Sequence, residues 1–112
     1  MRRRYVLNFL LVEGERDWCA RCLEYDFVTQ AATLQGLLYE LPRTVIGHLL
    51  ISHRTGRRPF EGLQRAAPRY RRMFRRSRVK VQAPTRWKAI PRARARNIPT
   101  PELNELRVAE VN

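Results

Sequence analysis

The sequence predicts an α+β fold: a small antiparallel sheet of three to four strands packed on one helix, followed by a basic extension. Three observations carry this reading. Residues 5–31 hold short apolar runs broken by acid-bearing turns. Residues 34–49 space apolar side chains at steps of three and four, the helical period. The entire charge excess lies beyond residue 53.

The first strand is expected over residues 4–12, rich in the Tyr, Val, Phe and Leu that suit a pleated, half-buried surface. Tyr5, Leu7, Phe9 and Leu11 fall on one side and are wholly apolar, so that side faces the core; Val6, Asn8, Leu10 and Val12 fall on the other. Glu13-Gly14-Glu15-Arg16-Asp17 is a polar turn that closes a hairpin onto Trp18–Leu23. After Glu24-Tyr25-Asp26 a third strand runs from Phe27 to Ala31.

Thr33 precedes the helical run of Leu34, Leu37, Leu38, Leu41, Val45, Ile46 and Leu49, and is the residue type that caps a helix N-terminus. Pro42 interrupts that run. The apolar stripe continues in phase past it, which favours one kinked helix over two.

With 112 residues, the chain is long enough for one small domain with a modest core, so subunit association, as a homodimer, is expected. The net charge of +13 is uneven. Residues 1–53 balance six basic groups against six acids; residues 54–96 carry sixteen basic groups against Glu61 alone; residues 97–112 carry Arg107 against three acids. This divides the chain into a β-β-β-α module, 1–53, and an Arg-rich extension, 54–112. Within the extension, Pro68–Arg76 has helix-start chemistry with Tyr70, Met73 and Phe74 on one face. Residues 79–83 alternate as a strand that would add to the sheet, residues 84–101 form a Pro-rich tail of extended or disordered backbone, and Thr100-Pro101 opens a further helical pattern with Leu103 and Leu106.

The order of strand, Gly turn, Trp-x-Ala-Arg-Cys strand, short strand and Thr-Leu-x-x-Leu-Leu helix resembles the HicB-like antitoxin family. The matching positions are Trp18, Ala20, Glu24, Val28, Thr29, Gln30, Thr33 and Leu34, and Gly56-Arg57-Arg58-Pro59 is similar to a motif that follows the family's helix. Ala31 or Ala32 stands where the family has Gly, and Gly36 replaces a helix-favouring residue. The resemblance covers about residues 5–60. It implies a partial ribonuclease-H-like layer without nuclease carboxylates, in a protein that neutralises a small RNA-cleaving toxin protein by covering its active site; a solitary member with another role is an open alternative.

Catalytic chemistry finds little purchase. There is no Gly-rich phosphate loop, nucleophile elbow or His–carboxylate spacing. The acids cluster in turns, where carboxylates are usually solvated. Cys19-Ala20-Arg21-Cys22 with His48 and His53 has the ligand types for zinc, but thiols three apart on a strand point to opposite faces. No catalytic residue, metal or cofactor is therefore expected. No stretch reaches the ~20 apolar residues that span a bilayer. Met1-Arg2-Arg3-Arg4 reads as a basic leader to a strand, since Asn8 and the acidic turn replace a secretory cleavage pattern, and the cytoplasm is the expected compartment.

The basic block instead points to an anionic partner, RNA, DNA, an acidic protein or a membrane surface, although 21 Arg against 2 Lys also fits a compositional bias. Arg forks bind phosphates bidentately, and Tyr70, Phe74 and Trp87 are interleaved with them. The candidate nucleic-acid-binding residues are Arg57, Arg58, Arg69, Tyr70, Arg71, Arg72, Arg75, Arg76, Arg78 and Lys80. Neither a helix-turn-helix nor a ribbon-helix-helix pattern is visible, so sequence-specific reading is not expected. Three readings follow: a HicB-like protein-binding antitoxin, a nucleic-acid-binding accessory protein that uses the fold to dimerise, and a structural subunit whose arm threads into a larger assembly.

Overall fold

A computed structural model describes residues 5–84, 87 and 101–110. Its elements in chain order are β1 (Val6–Glu13), β2 (Trp18–Cys22), β3 (Val28–Ala31), α1 (Leu34–Arg54), α2 (Pro68–Arg76), β4 (Val79–Val81) and β5 (Glu102–Val108). The fold is α+β, with five strands in the order β3-β2-β1-β5-β4. The sheet is mixed, not wholly antiparallel: β1–β2, β2–β3 and β4–β5 are antiparallel, and β1–β5 is parallel.

Each face of the sheet carries a helix, and the alternation of β1 explains why. Tyr5, Leu7, Phe9 and Leu11 are buried against Leu37, Leu41, Val45 and Leu49 of α1, with Ala20, Cys22 and Leu106. On the other face, Leu10 is fully buried with Leu23, Ala66 and Ala109, and Val12, Tyr70, Met73 and Phe74 close over them. β1 thus buries apolar side chains on both faces, as a central strand covered twice must.

Thr33 caps α1, its hydroxyl accepting from the Gly36 N–H at 3.0 Å. The helix runs from Leu34 to Arg54 as one element with Pro42 buried inside it. α2 begins at Pro68, where a missing N–H costs nothing.

The extension does not stand apart from the N-terminal module. β4 and β5 both come from it, and β5 supplies the partner of β1 along Val6–Leu11. The boundary expected at residue 53 therefore crosses one sheet. The helical pattern expected after Thr100 is corrected: Pro101 is buried and Glu102–Val108 is a strand. A bulge explains the mimicry. Leu7 pairs with Leu103 and Asn8 with Glu105, so Asn104 is the extra residue. It brings Leu103, Leu106 and Val108 to the α1-side core despite a helix-like spacing of three. The basic leader 1–4, most of the Pro-rich stretch, and Arg86, Lys88, Arg92, Arg94 and Arg96 lie outside the described residues. Among the described residues, no helix is long and apolar enough to cross a membrane.

Candidate nucleic-acid interface

No acid occurs between Glu61 and Glu102. In a nine-residue helix holding five arginines, the side chains must sort by face. Tyr70, Met73 and Phe74 turn inward onto Leu10 and Leu23. Arg69, Arg72, Arg75 and Arg76 are exposed on the outer side. They form a ridge about 10 Å long at the helical rise.

Among the described residues, none of Arg57, Arg58, Arg69, Arg71, Arg72, Arg75 and Arg76 makes an ion pair; the ion pairs that form involve other cations. Asp26 takes Arg21, Glu40 takes Arg43 at 3.8 Å, and Glu105 takes both Arg107 and Lys80, the latter at 3.5 Å. The Arg107 hydrogen bond and the two nearby cations hold the Glu105 carboxyl below its usual range. Lys80 is thus the one predicted contact residue already neutralised by an acid, and Arg78 gives its backbone N–H to Glu110 at 2.9 Å.

The structure places the predicted residues in two groups. Lys80 pairs across the ladder with Arg107, whose guanidinium lies over Phe74, so both belong to the α2 face. Arg57 and Arg58 instead leave the end of α1 just before Phe60. The Phe60 ring stacks on Tyr25 at 4.6 Å and lies against Phe27 and His48 on the α1 side. Arg57 and Arg58 therefore belong to the opposite layer from the α2 ridge.

The interleaved aromatics are not free platforms. The Tyr70 ring is covered by Arg21, 4.1 Å from its centroid, and by Arg69 at 4.7 Å, while its hydroxyl accepts from Arg69 at 2.8 Å. Phe74 lies under Arg107 at 4.7 Å. Trp87, the third aromatic interleaved with the arginines, is buried against Phe9 and its Nε1 donates to the Pro101 carbonyl. Its surroundings come from β1 and the chain before β5, which its basic neighbours do not reveal.

Arg71 differs from its helix neighbours. It is half-buried, and its Nε has no hydrogen-bond acceptor among the described residues. A second feature invisible in sequence is the polar line Asn104–Asn8–Glu24. The Glu24 carboxylate accepts from the Asn8 backbone N–H at 2.7 Å and from its Nδ2 at 2.9 Å, where β2 has left the ladder. Asn104 donates to the Asn8 Oδ1 at 2.8 Å. Glu24 is thereby a substitute strand partner.

The thiols are separated by environment. Cys22 is buried, and burial raises its pKa to about 12; Cys19 is half-buried and raised for the same cause. Among the described residues, no three His, Cys, Asp or Glu side chains come together as a metal site. No family model, curated protein or solved structure matches the chain.

Proposed function

We propose that this chain is a non-catalytic nucleic-acid-binding protein whose α2 ridge grips phosphates by charge. The observation that carries the reading is the set of exposed arginines on α2 with no carboxylate partner among the described residues. Solvated arginine forks suit bidentate phosphate contacts. Binding is then sequence-insensitive and salt-dependent, with log affinity falling linearly against log salt.

The test is a salt series with the full chain and a labelled oligonucleotide. Changing Arg69, Arg72, Arg75 and Arg76 to Gln one at a time should lower the salt slope by about one each, because each removes about one neutralised phosphate. The exposure of Arg72, Arg75 and Arg76 means that thermal stability should stay within about 0.5 kcal/mol for those three, whereas Arg69→Gln also removes a contact with Tyr70. A flat salt response in the parent chain overturns the reading.

A second reading, protein contact of the HicB-like antitoxin kind or through a homodimer, is favoured by one observation. Tyr39 and Leu50 lie three helical turns apart on the outer face of α1, with Ile51 beside Leu50, and all three are exposed, Ile51 to 65%. Sedimentation of the parent chain against Leu50→Asp/Ile51→Asp reads the homodimer form directly. A parent that stays monomeric at tens of micromolar overturns it.

A further inference from the structure

We infer that the α2 ridge takes the phosphate backbone of a duplex in preference to a single strand, an inference that rests on the phosphate-binding reading above. Proteins that hold single strands combine a charged groove with aromatic rings on which successive bases stack. The sequence has ten aromatic residues, and the structure describes all of them. Nine are buried or half-buried; Tyr39 alone is exposed.

Tyr39 lies on α1, across the sheet from the ridge, with the Arg43 guanidinium over its ring. On the ridge side, Tyr70 is held between Arg21 and Arg69, and Phe74 lies under Arg107. A base arriving at α2 therefore meets guanidinium groups, with no open ring beside them. The ridge is also the outer face of a helix packed on a sheet, which is convex and cannot wrap a flexible strand.

A duplex presents what such a ridge fits: rows of phosphates at fixed spacing, one per about 3.4 Å of axis on each strand, so about three along the ridge. Its phosphates are ordered before binding, whereas a single strand must lose conformational freedom to align with fixed arginines. Double-stranded RNA and DNA share this chemistry.

The experiment is fluorescence anisotropy of the full chain with a 20-base-pair RNA duplex, the same sequence as DNA, and each component strand, at one salt concentration. The expected result is at least tenfold tighter binding to one or both duplexes than to any strand. It should be weakened severalfold by Arg72→Gln/Arg75→Gln/Arg76→Gln and unchanged by Tyr39→Ala. Preference for the RNA duplex alone assigns A-form geometry; equal affinity for both assigns backbone charge. Single strands bound as tightly as duplexes overturn the inference while leaving phosphate binding intact. Absence of binding to every oligonucleotide at low salt overturns the phosphate-binding reading itself.

Discussion

The Arg21 guanidinium lies over the Tyr70 ring, 4.1 Å from its centroid, and also pairs with Asp26. One side chain thereby ties the turn after β2 to α2. Arg107 makes a second tie from β5, its guanidinium lying over the Phe74 ring and donating to the Phe74 carbonyl at 3.2 Å, and Leu10, Leu23, Val12, Met73 and Phe74 supply the apolar contacts. The helix is polyarginine on its outside, and self-repulsion among those charges opposes its formation. Inward contacts must offset that repulsion.

A double-mutant cycle with Arg21→Ala and Tyr70→Leu measures the link. A partly exposed cation over a ring is worth about 0.5–1 kcal/mol, so the two losses should fall short of additivity by that amount in urea unfolding. Additive losses would mean that Arg21 acts through Asp26 alone.

Removal of residues 101–112 should abolish cooperative unfolding. β5 pairs with β1 from Val6 to Leu11, and Leu106 and Ala109 are buried in the two cores. Without β5, β1 becomes an edge strand with an unpaired row of backbone groups, and each core loses a buried side chain. Near-UV circular dichroism and a urea titration check this. A sharp transition in the truncated chain would show that β1–α1 folds without its parallel partner.

How far the residues disclose this arrangement depends on whether their spacing is local. The face assignment of β1, the Thr33 cap and the helix at Pro68–Arg76 are legible because period and capping chemistry act within a few residues. β5 is hidden because its bulge at Asn104 gives leucines the spacing of a helix, and because its partner lies about a hundred residues earlier. The site shows the same division. The arginine excess on α2 is plain in sequence, but the coverage of Tyr70 depends on Arg21 from β2, and the burial of Trp87 depends on Phe9 from β1.

Trp87 provides the next test. Its indole is buried edge-on to Phe9 at 6.1 Å, and its Nε1 donates to the Pro101 carbonyl at 3.3 Å. Trp87→Ala should cost about 3–5 kcal/mol, the range for emptying an aromatic core position, and a domain of ordinary stability would barely survive it. Trp87→Phe keeps most of the packing and loses the bond, so the carbonyl is left unpaired at a cost of about 1–3 kcal/mol. Urea midpoints order the three chains as parent, Phe, Ala. Equal midpoints for parent and Ala would remove Trp87 from the core.

Acidification should loosen the aromatic cluster through His48. Its ring lies 4.6 Å from Phe27 and 5.9 Å from Phe60, and burial lowers its pKa from the ordinary 6.5. Below pH 6.5 the unfolded chain therefore binds a proton more readily than the folded one. The sign follows: stability is fully present above 6.5 and is lost as pH falls from 6.5 through the lower folded value. The Phe60 loop is the segment most exposed to that loss, since its ring packs on Tyr25, Phe27 and His48 together. Melting temperatures of the parent chain and His48→Gln between pH 7.5 and 5 separate this residue from the carboxylates, which titrate lower. The parent should lose stability across the window more steeply than His48→Gln; parallel slopes would clear His48 of any part in the acid response.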